Sequence, residues 1–156
     1  DLQIEESFVP HLDPVWLEKA VAVTLEIVRP VVPVEAVTIV VTDNDLVQQL
    51  NLEYRGVDAP TDVLSFENRP DPDFPEVGQE PNDHLGDIII AYPIARAQAQ
   101  ASGHAPQEEV VLLVVHGLLH LLGFDHDTPT QKAQMWVTQQ QVMVALGLAH
   151  VQPTES

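Results

Sequence analysis

The chain has 156 residues, 24 acidic and 6 basic, and its formal net charge is −18. At this length, with 45% apolar residues, we expect residues 1–156 to form a single soluble domain. The absence of cysteine excludes disulfide scaffolds, thiol nucleophiles and cysteine-ligated zinc sites. The acidic charge argues against a nucleic-acid binder that uses a broad basic surface.

The sequence contains no segment typical of export or membrane insertion. Its N-terminal residues lack the positive region and the apolar core of a signal peptide. The most apolar stretch, 110–122, contains two histidines and is shorter than the ~20 residues that a transmembrane helix needs. We therefore expect a cytoplasmic protein in which this stretch is a buried helix.

The first third of the chain predicts a helix, a strand and a second helix. Asp13-Pro14 has the capping chemistry of a helix start, and apolar residues then recur on one face until Pro30. The β-branched run 37–41 predicts a strand. Capping residues follow it directly and open a helix that ends at Gly56.

The middle of the chain predicts two strands separated by a loop. Residues 62–67 and 87–92 have strand patterns, and the second is apolar enough to be buried on both faces. The stretch 67–87 between them is rich in acidic residues and proline, which predicts a mobile surface loop.

Three further helices complete the predicted order. They cover 93–102, 106–122 and the segment that starts with a capping box at Thr128 and ends at Gly147. The predicted inner face of the last helix consists of Ala133, Trp136, Val137, Met143 and Leu146. Interleaved strands and helices predict an α+β fold: a small mixed sheet of three to four strands packed with about five helices, one of them central and buried.

A histidine cluster in the buried helix predicts a metal site. His116 and His120 are four residues apart, so their imidazoles lie on one helix face and can reach one ion. Gly123 can end the helix and turn the chain so that His126 becomes a third ligand. Three imidazoles leave one tetrahedral position open for water, as in catalytic zinc sites.

The alternative is that these histidines are core residues with ordinary hydrogen bonds. It does not explain why two polar rings occur in an otherwise apolar run. Metal coordination removes the cost of burying them, so we favour the metal site. Asp125 and Asp127 flank the third histidine. Either carboxylate can orient an imidazole or simply cap an exposed turn.

The segment 116–126 is similar to the motifs of two protein groups. Metzincin proteases share the three ligands and the glycine, but this chain has Gly117 where those enzymes have their catalytic glutamate. The segment resembles more closely the signature H-G-x-L-H-L-x-G-[YF]-D-H of the YbeY family of bacterial metal-dependent endoribonucleases. Every fixed position of that signature is present.

Two further blocks resemble the same family. Residues 50–66 are similar to its motif L-N-x-x-[YF]-R-x-x-D-x-P-T-D-V-L-S-F, and residues 85–88 to its motif L-G-D-I. The three blocks occur in the family's order.

The resemblance implies one zinc ion held by His116, His120 and His126, with Arg55 facing the metal cleft. The implied catalytic residues are Arg55, His116 and His120. A guanidinium can bind two oxygens of the phosphorane-like state of RNA cleavage, whereas from position alone Arg55 is a cation at a helix C-terminus.

The implied activity is a single-strand-specific, zinc-dependent endoribonuclease of ribosomal RNA maturation and ribosome quality control. The implied partners are single-stranded or ribosomal RNA and the small subunit or a ribosomal protein, without membrane or DNA.

Other polar residues near the motifs have less specific patterns. Asp62 suits a turn, and Asp87 suggests a hydrogen-bonding role near the site. We assign no role to Ser65, and we expect His104 to be a solvated surface residue and Trp136 a core residue.

Two other functions remain open from the sequence. One is a metallopeptidase-like zinc hydrolase that takes its base from elsewhere. The other is a non-catalytic, ribosome-associated adaptor in which zinc is a structural clip.

Overall fold

The computed structural model describes residues 2–31, 36–67 and 84–152. These residues form four strands and five α-helices, which confirms the predicted α+β class. In chain order the elements are β1 (Leu2–Ile4), α1 (Pro14–Val28), β2 (Ala36–Thr42), α2 (Asn44–Arg55), β3 (Val63–Glu67), β4 (His84–Ala91), α3 (Tyr92–Ser102), α4 (Pro106–Leu121) and α5 (Pro129–Ala145). A 3-10 helix, Glu6–His11, connects β1 to α1.

The strands form one mixed sheet in the order β1-β2-β4-β3. β1, β2 and β4 are parallel to their neighbours, and β3 runs antiparallel to β4. Ile88 and Ile90 of β4 belong to the main core, whereas Ile89 points to the opposite face and packs against a smaller cluster. β4 is therefore apolar on both faces because helices cover both sides of it.

Helix α4 lies at the centre of the main core, as predicted. It packs against α1, α3 and α5 and against strands β3 and β4. From Glu109 to Val115 every residue is buried, and so are Gly117, Leu118, Leu119 and Leu121. No helix in the described ranges combines the length and the apolar composition needed to cross a bilayer.

A smaller core lies on the other face of the sheet. It consists of Val47 from α2, Leu64 from β3 and Ala91 from β4, with Phe66 packed against it. The sheet therefore separates α2 from α4, although both helices contribute to the candidate site described below.

Side-chain caps confirm three of the predicted helix starts, those of α1, α2 and α5. The Asp13 carboxylate accepts the Val15 N–H at 3.0 Å, and Asp43 accepts the Leu46 N–H at the same distance. At α5, Thr128 and Gln131 exchange two hydrogen bonds of 3.1 and 3.2 Å. Each cap satisfies backbone donors that the first helical turn leaves without intrahelical partners.

Two strand predictions are corrected. β1 was not predicted, because three residues carry no periodic signal and β1 forms by pairing with residues 39–41 of β2. β4 spans His84–Ala91 rather than 87–92, since it pairs with β2 from His84 and Tyr92 already opens α3. The predicted loop 67–87 loses Glu67 and 84–87 to strands, and its remainder lies outside the described residues.

The predicted inner face of α5 is partly wrong. Val137 is 58% exposed, whereas Met135 is fully buried and Gln139 is 2% exposed. The helix packs against α1 and α4, and its buried residues are Met135, Gln139, Val142 and Met143. This stripe includes a polar residue, which apolar periodicity alone does not reveal.

Gly86 allows β3 and β4 to approach each other closely. A Cβ atom at this position would lie 2.3 Å from the Phe66 carbonyl oxygen and 3.0 Å from Leu121 Cδ2. The first contact is with backbone, so it cannot be relieved by a side-chain rotation.

We expect Gly86→Ala to lower the free energy of unfolding by about 2–3 kcal/mol, because strand pairing has to distort. Urea denaturation measures this change. Gly103→Ala is the matched control. Gly103 has φ +80°, and a Cβ built on it meets nothing within 4 Å, so the alanine variant should lose only about 1 kcal/mol of stability through backbone strain. Equal losses in both variants would contradict the role of close approach at Gly86.

Candidate metal centre

Helix α4 presents two imidazoles at its C-terminal end. His116 and His120 lie one turn apart, with ring centroids separated by 4.8 Å and the two Nε2 atoms by 3.2 Å. Both side chains are half-buried where the otherwise buried helix reaches the protein surface. The i, i+4 spacing therefore places two nitrogen ligands side by side.

The turn after α4 brings a third imidazole to the same place. Gly123 has φ +100°, and its N–H donates to the His120 carbonyl at 3.0 Å. The chain reverses there, so the His126 ring lies 5.0 Å from His120 and 5.9 Å from His116. A left-handed glycine thus ends the helix as predicted.

The three histidines suit a metal ion. Their ligand nitrogens all lie within 4.8 Å of one another. Tetrahedral zinc with Zn–N bonds of about 2.0–2.1 Å separates its nitrogen ligands by roughly 3.3 Å, close to the Nε2–Nε2 distance in α4. Imidazole nitrogen is a ligand that zinc, copper, iron and nickel all accept, so the donor set is compatible with a metal without naming one.

The environment keeps His120 neutral. Burial, reinforced by the neighbouring imidazoles of His116 and His126, lowers the pKa of His120 to about 4. At neutral pH this ring therefore offers a nitrogen lone pair, which is the form that binds metal.

Asp125 stabilises the ligand-bearing turn. Its Oδ1 accepts the backbone N–H of His126 at 2.8 Å, and this hydrogen bond holds the pKa of the carboxyl below its ordinary value. The geometry matches the turn-capping alternative. Asp127 is exposed and lies on the same cavity wall.

Arg55 lies in the cavity that contains the histidines. It is the last residue of α2, and its Nη2 donates to the Ser65 carbonyl of β3 at 3.1 Å. Its guanidinium carbon is 5.9 Å from the centre of the Phe66 ring. The cavity, about 740 Å³ in volume, is lined by Arg55 together with His116, His120 and His126.

The carboxyl side chains of the described cavity lining number five. They are Asp62, Glu67, Glu109, Asp125 and Asp127. Among the described lining residues, Arg55 is the one side chain that is cationic irrespective of pH. Arg55, together with any cation that the histidines hold, can therefore attract a phosphate to the cavity.

Gly117 leaves no space for the catalytic glutamate of a metzincin. A Cβ at this position would lie 2.9 Å from Ile88 Cγ2 and 3.0 Å from Ser65 Oγ. Ile88 is β-branched and fully buried, so it cannot move aside easily. A glutamate here would require the Ile88 side chain to shift, which argues against the peptidase alternative.

Asp62 and Asp87 have different positions relative to the cavity. Asp62 lines it, and its Oδ1 accepts the Val63 N–H at 2.8 Å, so it makes the turn that its sequence context suggests. Asp87 is half-buried in β4 opposite Phe66 and does not belong to the described cavity lining.

The expectation that His104 is solvated is wrong. Its side chain is 4% exposed and lies 2.5 Å from Glu109, whose side chain is 1% exposed. Burial raises the pKa of the Glu109 carboxyl, and the hydrogen bond to His104 opposes this rise. Glu109 lines the cavity seven residues before His116, on the same helix face.

Helix α5 supplies two site residues that sequence reasoning missed. Trp136, predicted as a core residue, lines the cavity with its ring edge-on to His116 and His126 at 5.7 and 5.9 Å. Gln139 contacts His116 through a hydrogen bond of 2.9 Å. A polar residue in the buried stripe of α5 is the signal that points to Gln139.

Similarity to known proteins agrees with this geometry. Residues 11–147 match the family model described as endoribonuclease YbeY. The chain belongs to the YbeY family. The resemblance carried by the three sequence motifs is thereby confirmed, and the histidines of the YbeY signature are those that meet in the cavity.

Individual YbeY relatives extend over most of the chain. Endoribonuclease YbeY of Roseiflexus sp. (strain RS-1) is 43% identical, covering 96% of this chain and 93% of the relative. The Brevibacillus brevis relative of the same name is 44% identical over 72% of this chain and 75% of its own length. The solution structure of a Thermotoga maritima protein shares the fold, with a TM-score of 0.56 and 22% identity over 100% of this chain and 99% of that one.

The depressed pKa of His120 predicts a pH-dependent stability of the metal-free protein. Between about pH 6.5 and 4 the unfolded state binds a proton at this residue and the folded state does not, so stability falls as the pH falls. Because the ring is only partly buried, we expect a loss of about 1–2 kcal/mol across this range.

Urea denaturation of chelator-treated protein at several pH values measures this loss. His120→Gln removes the titrating group. Between about pH 6.5 and 4 this variant should therefore lose about 1–2 kcal/mol less stability than the wild type. An identical pH dependence in both proteins would contradict the prediction.

Proposed function

We propose that this protein is a single-strand-specific, zinc-dependent endoribonuclease. In our proposal it acts in the cytoplasm on ribosomal RNA, including the 3′ end of the small-subunit RNA, and in ribosome quality control. The observation that carries the proposal is one cavity lined by three histidines and an arginine, in a YbeY chain whose named relatives are endoribonucleases.

The three histidines have the role of metal ligands. His116 and His120 come from a rigid, buried helix, and His126 comes from a turn tied down by Asp125. When bound, zinc supplies Lewis acidity and lowers the pKa of a coordinated water. The protein contributes ligands that are held together, and burial keeps one of them, His120, neutral.

Arg55 has the role of binding the scissile phosphate. The bond to the Ser65 carbonyl uses one of the five N–H donors of the guanidinium, and the Phe66 ring supports its position. A guanidinium held in this way can donate two parallel hydrogen bonds to phosphate oxygens and stabilise the additional negative charge of the transition state.

The charge of the protein supports the proposed preference for a single strand. With a net charge of −18 the protein surface repels RNA, and the cavity offers Arg55 and the metal as its cationic features. A flexible strand can place one phosphate in the cavity while its other phosphates stay away, whereas a duplex presents a rigid array of charges. Affinity for ribosomal RNA would then come from a partner, such as a basic ribosomal protein of the small subunit.

The same net charge also suits a second function, a non-catalytic adaptor on the ribosome. In that case the acidic surface would dock on a basic ribosomal protein and zinc would only hold the turn after α4. Cleavage assays distinguish the two functions.

We expect zinc-loaded protein to cut an end-labelled, single-stranded RNA and a chelator to abolish the cutting. His120→Ala should remove the activity because a ligand is lost, and Arg55→Ala should lower kcat roughly 10²- to 10³-fold because charge stabilisation is lost. The matched control is Arg96→Ala, which removes an exposed arginine of α3 outside the cavity and should cut like the wild type.

Equal cleavage by all four preparations would identify a contaminating ribonuclease. Wild-type protein that binds zinc and ribosomal subunits but cuts neither free RNA nor subunit RNA would favour the adaptor.

A further inference from the structure

Gln139 is a buried amide within an apolar stripe of α5. Its exposure is 2%, and Met135, Val142 and Met143 around it are fully buried. An amide at such a position lowers stability unless its polar atoms are hydrogen-bonded. The hydrogen bond between Gln139 and His116 is therefore what makes the burial of this amide tolerable.

The contact specifies which nitrogen of His116 carries the proton. Gln139 Oε1 lies 2.9 Å from His116 Nδ1, and an amide oxygen can only accept a hydrogen bond. Nδ1 must therefore be protonated. In a neutral imidazole the other nitrogen, Nε2, then carries the lone pair.

That lone pair belongs to the atom that faces the other ligands. His116 Nε2 is the nitrogen 3.2 Å from His120 Nε2. Trp136, one turn before Gln139 on α5, packs edge-on against the His116 ring and restricts its rotation. One face of α5 thus contacts both Nδ1 and the ring edge of this imidazole.

We propose that Gln139 is a positioning residue for the metal centre: it holds His116 as the Nδ1–H tautomer, so that Nε2 is ready to bind the ion. The inference rests on the metal site of the proposed function but not on RNA cleavage. The opposite amide orientation would donate to Nδ1, move the proton to Nε2 and block metal binding.

Two substitutions separate the acceptor from the volume of the side chain. Gln139→Met keeps a long, unbranched side chain but removes the oxygen, and it should weaken zinc binding 10- to 100-fold. Gln139→Glu keeps an acceptor oxygen, and its zinc Kd should stay within about threefold of the wild type or become tighter. The matched control is Gln141→Met, which changes an exposed residue two positions later on α5 and should leave the Kd unchanged.

The zinc Kd of each protein is measured by competition with a chromophoric chelator, and the Tm of the metal-free protein is measured alongside it. A purely structural role would lower the Tm of Gln139→Met without a specific effect on Kd. Our proposal requires a weaker Kd in Gln139→Met but not in Gln139→Glu, whether or not the loss of the hydrogen bond to His116 also lowers the Tm. The proposal is overturned if Gln139→Met binds zinc like the wild type, or if Gln139→Glu binds as weakly as Gln139→Met.

Nitrogen NMR of the metal-free protein tests the tautomer directly. At about pH 8, where imidazoles are neutral, His116 should carry its proton on Nδ1 in the wild type and lose this preference in Gln139→Met. A proton on Nε2 in the wild type would overturn the inference. Neither measurement involves RNA, so zinc-binding protein that cuts no RNA would refute the proposed function and leave this inference standing.

Discussion

The structure depends on the burial of α4 between the sheet and the surrounding helices. Eleven of its residues are buried, so the helix cannot slide or rotate without exposing a large apolar surface. His116 and His120 are held rigidly because they belong to the last turns of the same helix. A metal centre benefits from such a support, since the ligands are positioned by packing before any ion arrives.

The features that could be predicted from the sequence are those with local causes. Asp13 and Thr128 cap helices through contacts within three residues, and the spacing of His116, His120 and His126 depends on one helix and one glycine turn. The family resemblance added Arg55, whose place in the cavity no local pattern reveals. Physical reasoning from nearby residues was sufficient for the helices and for the three imidazoles.

The features that escaped prediction depend on distant parts of the chain. Gln139 and His116 are 23 residues apart and meet only because α5 packs on α4. His104 has the flanking residues of a surface loop, but the start of α4 buries it against Glu109. Strand β1 is too short to have a pattern of its own and exists through its pairing with β2. Such contacts follow from tertiary packing, which a single sequence does not display.

The anchoring of Arg55 connects the two cores of the molecule. α2 packs on one face of the sheet, and its last residue, Arg55, donates to the Ser65 carbonyl of the outer strand β3 and lines the cavity that contains the histidines. The packing of Val47, Leu64 and Ala91 therefore supports the position of the guanidinium without involving a histidine side chain. Substitutions in that small cluster offer natural selection a way to adjust the reach of the arginine while leaving the histidines untouched.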